Sequence, residues 1–245
     1  MMSWIAGIGY DFRTNNDIFL NSLNVKYYTY GMNTHMSSIM SSEAEKVDML
    51  KRDFGISNAL RYRFTPDFMG KFSVGYDVRL PAESELLGDG YAVAPSGNLL
   101  PERNTSINLG FLFDRTGKSA SNLQLELNTF YGYLENMIRF TGGYLQSQYQ
   151  NFGKMRTLGA EVEVKADLTH WLYGYCNMTY QDLRDVRKFE PNTHVPNPTK
   201  GSRMPNIPYL LANAGLEFHK ENLFGGKIQN TRIFTDGSFV EEYFY

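Results

Sequence analysis

Three segments between residues 54 and 113 alternate apolar and polar residues with a period of two, and nothing else in the chain constrains its fold as tightly. The first, 57–64, sets Leu60, Tyr62 and Phe64 against Ser57, Arg61 and Arg63. A tight turn at Thr65-Pro66-Asp67 follows, with proline where a type I turn accepts it. The second, 71–79, sets Phe72, Val74, Tyr76 and Val78 against Lys71, Ser73, Gly75, Asp77 and Arg79. The third, 106–113, sets Ile107, Leu109, Phe111 and Phe113 against Ser106, Asn108 and Gly110. Residues i, i+2 and i+4 share one face of a strand, so these segments predict an antiparallel sheet with one apolar and one polar face. Whether a packed core or lipid covers the apolar face decides what the chain does.

The pattern continues in both directions. Residues 3–12 and 18–30 read as strands joined by the polar turn 14–17. Residues 31–51 read as a long polar segment, with a helical turn around Ser41-Ser42-Glu43-Ala44-Glu45-Lys46. After a turn at Gly117-Lys118-Ser119 come a strand at 122–134, a polar loop at 135–152 and a strand at 158–166. A tight turn at 167–170 leads into a strand at 171–180. A Pro/Asn-rich loop over about 183–208, a strand at 209–218, a turn at 222–226 and a last strand at about 227–240 complete the chain. That makes about ten strands, whose connections alternate short and long.

Short turns on one side and long loops on the other are the habit of an outer-membrane barrel, with short periplasmic turns and long extracellular loops. Aromatic residues make up 15% of the chain, with 17 Tyr and 17 Phe, a share usual where rings sit at a membrane interface. They gather beside the short turns: Tyr10 and Phe12, Phe64 and Phe68, Phe111 and Phe113, Trp171 and Tyr173, Phe218 and Phe224. Mean hydropathy is −0.40 and no continuous apolar run is long enough for a spanning helix, which leaves barrel strands open. The polar face carries Arg61, Arg63, Lys71, Asp77, Glu126, Glu161, Glu163, Lys165 and Glu217, charges that a dry core rejects and a wet lumen accepts. The reading is therefore an all-β, antiparallel, up-and-down transmembrane barrel portion with those residues facing the lumen. Two other architectures share the periodicity. One is a self-contained barrel of about ten strands, porin-like or of the outer-membrane protease type. The other is a soluble β-sheet binding protein.

A net charge of −2 gives no electrostatic case for a nucleic-acid partner. No catalytic arrangement stands out. His35, His170, His194 and His219 have no ligand spacing with one another or with Cys176, so no metal or cofactor is expected. Glu161 and Glu163 read as lining a hydrated wall or contacting another domain rather than as an acid/base pair. The better candidates are the long loops, because binding residues concentrate on loops held by a rigid scaffold. Tyr91, Asn98, Tyr144, Gln148, Tyr149, Asn192 and Arg203 are suited there to a polar ligand. Arg79-Leu80-Pro81 and Leu99-Leu100-Pro101-Glu102 read as loop anchors, with proline fixing the strand exits.

Several of these segments carry a resemblance. Arg61-Tyr62-Arg63-Phe64-Thr65-Pro66 and the run from Phe72 to Pro81 lead into Glu85-Leu86-Leu87-Gly88-Asp89-Gly90. Pro95, Gly97, Asn98, Leu99, Pro101 and Glu102 then run into Asn104-Thr105-Ser106-Ile107-Asn108-Leu109-Gly110. Farther on come Asn151-Phe152-Gly153, Thr157-Leu158-Gly159-Ala160-Glu161-Val162-Glu163, Asn177-Met178-Thr179-Tyr180 and Arg203-Met204-Pro205-Asn206-Ile207-Pro208. In order and spacing these resemble the barrel of TonB-dependent outer-membrane receptors, over nearly the whole chain.

The resemblance implies a 22-strand barrel preceded by a plug domain and a segment that engages TonB. It implies uptake of a ferric siderophore, cobalamin or a glycan-like ligand, with outer-membrane lipid, the plug of the same protein and TonB as partners. Residues 1–245 show neither plug nor TonB-binding segment, and the N-terminus does not read as a signal peptide. With the short turns in the periplasm, strand parity places both ends outside. The chain therefore reads as an internal or near-C-terminal barrel piece, and Tyr243-Phe244-Tyr245 as no terminal barrel signal.

Overall fold

Strands that follow one another in sequence lie side by side in space, so the chain builds one continuous meander. The computed structural model describes residues 2–36, 45–89, 91–117, 122–142, 146–190, 193–225 and 229–242. The strands are β1 (Met2–Arg13), β2 (Phe19–Met36), β3 (Glu45–Thr65), β4 (Phe68–Arg79), β5 (Val93–Ala94), β6 (Glu102–Arg115), β7 (Leu123–Thr141), β8 (Ser147–Thr169), β9 (Leu172–Asp185), β10 (Leu210–Glu221) and β11 (Asn230–Val240). They form one sheet in the order β1-β2-β3-β4-β6-β7-β8-β9-β10-β11, antiparallel throughout, while the two-residue β5 pairs parallel with β8.

Register keeps the two faces separate across the whole sheet. One apolar row runs Leu60–Phe72–Leu109–Thr129, and another runs Leu127–Val162–Met178–Ala212. A one-residue slip anywhere would send charges onto the apolar face. Among the described residues, little covers the middle of that face. Ile8, Phe54, Phe64, Phe72, Leu109, Leu127, Leu158 and Met178 are all exposed. The apolar residues that are buried, among them Tyr28, Tyr30, Met32, Val78, Leu86 and Leu99, are far fewer than the exposed ones. So large an uncovered apolar face on a monomer marks contact with lipid or another protein.

Aromatic rings line the short-turn edge. Phe64 stacks on Phe68 at 5.2 Å and Phe68 on Phe111 at 6.1 Å, while Phe12 meets Phe19 and Trp171 meets Phe218. Such rows form the aromatic girdles of membrane barrels.

Two expectations about the other edge are corrected. Residues 31–51 are not one long polar segment. β2 extends to Met36 and β3 begins at Glu45, so Glu45 and Lys46 are strand, and the rest of the expected helical turn lies outside the described residues. Residues 135–152 are mostly strand as well, because β7 runs to Thr141 and β8 starts at Ser147. The connection between β4 and β6 is not loop alone. It carries the helix α1 (Glu83–Leu87) and β5.

The cause of the two strand misreadings is the same. A strand needs about 10 residues to cross lipid, but β8 has 23 and β3 has 21. The surplus is mostly polar in sequence, and the cover on Met32, Val47, Met49, Ile138 and Tyr149 comes from the distant residues Leu86 and Leu99, so it reads as loop.

Candidate functional site

Two regions of the sheet carry the chemistry: the polar face, and the long-loop edge above it. On the polar face, Lys71 Nζ donates to Glu126 Oε1 at 3.0 Å across the intervening β6. Register sets Glu126 opposite Glu163 and Asn128 opposite Glu161, while Lys165 Nζ lies 2.8 Å from Glu163. Glu126, Asn128, Glu161, Glu163, Asn177 and Thr179 line a shallow recess of about 270 Å³. Farther along, Glu217 faces Tyr173, and Arg232 Nε lies 3.9 Å from Glu217. Arg61 pairs in register with Lys71, and Asp77 with Asn104, so both sit on this same face; Arg63 follows Arg61 two residues on. The Nε atoms of Arg61 and Arg63 are buried without a hydrogen-bond partner. Glu126, Glu161, Glu163, Lys165 and Lys71 thus form one connected patch, Arg61 adjoins it opposite Lys71 with Arg63 beyond, and Asp77 and Glu217 stand apart.

At the long-loop edge, stretch 80–101 is stitched down on two sides. Arg79 Nε donates to Glu102 Oε2 at 2.5 Å and Arg79 Nη1 to Glu85 Oε2 at 3.1 Å, which ties the ends of the stretch together. Glu85 also accepts the Ala82 N–H at 2.7 Å, anchoring the start of α1. Leu86 and Leu99 pack with Met32 in a small apolar cluster joined by Val47, Met49, Ile138 and Tyr149. The Tyr30 hydroxyl donates to the Leu99 carbonyl at 3.2 Å. Because Tyr30 and Met32 share the polar-face side of β2 with Lys26, the stretch folds inward over that face. The Asp89 carboxylate accepts the Val93 and Tyr91 N–H groups, which hold it below the usual carboxylate range.

This folding brings Tyr91, Gln148 and Tyr149 near one another. Val93 and Ala94 pair with Ser147 and Gln148, and Gln146 Nε2 donates to the Tyr91 carbonyl at 3.1 Å. Tyr91 is 78% exposed, Asn98 is exposed in the same stretch, and Tyr149 packs on Phe140 at 5.0 Å. Arg203 is elsewhere, bonded through Nε to Asp182 at 2.9 Å and stacked over Tyr209 at 4.3 Å. Tyr144 and Asn192 lie outside the described residues.

Sequence reading missed a second knot at the outer end of β9. Asp185 binds the Arg187 guanidinium, and also accepts from Asn197 Nδ2 and Thr199 Oγ1, both at 3.1 Å. Arg187 lies 3.9 Å over the Phe152 ring, against Gly153, whose φ of +126° suits glycine. Burial opposes ionisation of Asp185. The Arg187 guanidinium and N–H, with Asn197, outweigh it and hold the carboxyl below its usual range. The only signal for this knot was the dense charge spacing of Asp182, Arg184, Asp185 and Arg187.

A family model described as TonB dependent receptor-like, beta-barrel, matches residues 4–243. Solved structures share the fold. The copper transporter OprC has a TM-score of 0.69 at 13% identity, over 96% of this chain and 38% of its own. The FrpB iron transporter from Neisseria meningitidis, F5-1 variant, has 0.70 at 14%, over 98% and 33%. The ferric yersiniabactin uptake receptor FyuA from Yersinia pestis has 0.62 at 16%, over 91% and 32%. The chain therefore spans about a third of the length of these proteins. No curated protein matches it.

Proposed function

The chain belongs to the TonB-dependent receptor-like β-barrel family, and on that premise we propose that it forms part of the wall of an outer-membrane barrel for active nutrient uptake. In this reading the apolar face meets lipid and the polar face lines a lumen that holds a plug domain. TonB supplies the energy through that plug. The cargo is a scarce, bulky nutrient, and a ferric siderophore is the class favoured by the likeness to the ferric yersiniabactin uptake receptor FyuA and the iron transporter FrpB. Cobalamin or a glycan-like ligand are the other members of the class. The chain works as a transporter wall and not as an enzyme.

The observation that carries this reading is the register, which, a few local bulges aside, keeps one face apolar and uncovered and the other charged over ten strands. A lipid-spanning barrel accounts for both faces at once. Tyr91, Asn98, Gln148 and Tyr149 are the first ligand contacts to test, because stretch 80–101 is held rigidly at the mouth and rigid presentation favours affinity.

The test is uptake by cells carrying the complete protein, with labelled ferric siderophores, cobalamin and oligosaccharides offered in turn. Accumulation of one class that stops when TonB is removed supports the proposal. Passive uptake indifferent to TonB contradicts it.

A further inference from the structure

Three arginines stand in a row across neighbouring chain segments. Register sets Arg156 of β8 opposite Arg184 of β9, and Arg184 forms a bridge with Arg203. Like charges placed directly opposite repel. The three guanidiniums share one carboxylate, Asp182, at 3.9, 2.6 and 2.9 Å respectively. Nearby, Lys154 is already paired with Glu135 at 2.5 Å, and Glu241 lies by Tyr209 on the far flank. The row thus keeps an excess of positive charge. Arg156 Nε is also buried with no hydrogen-bond partner, although the side chain is 41% exposed.

The row lies on the lipid side of the sheet. Along β8 and β9, the pairs Arg156–Arg184, Leu158–Asp182, Ala160–Tyr180 and Val162–Met178 follow one another at two-residue steps, so they share a face. Leu158, Tyr180 and Met178 on that face are exposed. Its height follows from strand geometry. From Asp167, beside the short turn, to Arg156 is eleven residues, roughly 36 Å of strand. At a tilt of about 35–45° this rises roughly 26–30 Å, just past an apolar band of about 25 Å. Tyr180 and Tyr209 stand beside the arginines, and Arg203 Nη2 contacts the Tyr180 hydroxyl at 3.3 Å. Guanidiniums just beyond an aromatic belt stand at the level of lipid headgroups, and arginine binds phosphate through paired N–H donors.

We propose that the Arg156–Arg184–Arg203 row binds the phosphate of a phosphorylated lipid headgroup in the outer leaflet, an assignment that rests on the membrane-spanning reading above. The phosphate takes the place of the missing counter-charges and fixes a lipid against this seam.

The test uses the complete protein in detergent micelles doped with bisphosphorylated lipid A, or with the same lipid after phosphatase treatment. Folding is checked by heat-dependent migration in SDS gels. The wild type is expected to bind the phosphorylated lipid roughly tenfold tighter than the treated one. The double variant Arg156→Gln, Arg184→Gln should lose that preference while still migrating as a folded barrel. Lys220→Gln, at the opposite rim, should keep it. Equal binding of the two lipids, or an unchanged preference in the double variant, overturns the proposal. Full competition by inorganic phosphate at a similar concentration assigns the row to free phosphate and overturns the lipid. If the wild type shows no heat-dependent migration, the membrane-spanning reading itself has failed, a result separate from any binding difference.

Discussion

Asn151 clasps Leu100 at both ends of its backbone: its Oδ1 accepts the Leu100 N–H at 2.7 Å and its Nδ2 donates to the Leu100 carbonyl at 2.9 Å. The same Nδ2 reaches the Asn136 carbonyl at 2.7 Å, at the bulge where β7 shifts register between Leu134 and Met137. One amide thus joins the inward-folded stretch 80–101 to both strands of the longest hairpin. A side chain that satisfies three backbone groups positions its surroundings far more than it binds a ligand.

Asn151→Ala removes all three bonds and leaves the Leu100 N–H without its partner. The expected cost is about 1–3 kcal/mol, felt locally. Hydrogen exchange at residues 86–100 should quicken roughly tenfold or more, with the β6–β7 and β8–β9 ladders unchanged. Uniform protection across variant and wild type would show that the clasp carries no weight.

Leu86 is fully buried beneath the same stretch, against Met32 and Leu99. Truncation to alanine leaves a cavity worth about 2–5 kcal/mol in a packed core. Limited proteolysis should then cut between residues 87 and 98 at protease levels that spare the wild type.

Gly159 faces the Phe130 ring across β7 and β8, and a β-carbon there would meet that ring and the Tyr180 carbonyl. Gly159→Ala therefore overpacks the polar face, at about 1–3 kcal/mol. The temperature at which the barrel loses its fast-migrating form in SDS should fall. Gly237→Ala is the control, since its β-carbon meets nothing within 4 Å and its backbone is ordinary strand.

Asp185 predicts an acid limit for the loop it holds. Its register partner, Met155, is one residue beyond Arg156, outside the apolar band. The folded carboxyl lies below its ordinary value, so its contribution is complete above about pH 4 and drains away as the pH falls through the lowered value. Protease sensitivity of the hairpin bridged at Phe189 and Pro196 should rise below about pH 4 in the wild type. Asp185→Asn should be sensitive at every pH.

The alternating stretches of the strands were legible because a sheet with one apolar face imposes a simple rule. Phe72, Val74, Ile107 and Leu109 must face outward together, and period two records that directly. The outer extensions were not legible, since residues 31–36 and 45–51 are mostly polar and the cover on Met32, Val47 and Met49 comes from Leu86 and Leu99, far along the chain. The site was legible only in part. Composition placed Tyr91, Gln148 and Tyr149 at the long-loop edge, but their approach depends on β5 pairing with β8 across a wide gap in sequence. The Asp182 and Asp185 clusters depend on register and on a loop that returns from Ser202 to Asp185, which no local spacing encodes.

The central claim is that alternate residues of one strand face lipid and lumen, and adjacent positions on β4 test it most directly. Single cysteines at Phe72 and Ser73, in a Cys176→Ser background, would carry an environment-sensitive fluorophore in the complete protein reconstituted in vesicles. The account predicts that a lipid-borne quencher dims the label at 72 and spares the one at 73, while an aqueous quencher does the reverse. Equal access of the aqueous quencher to both positions would contradict it.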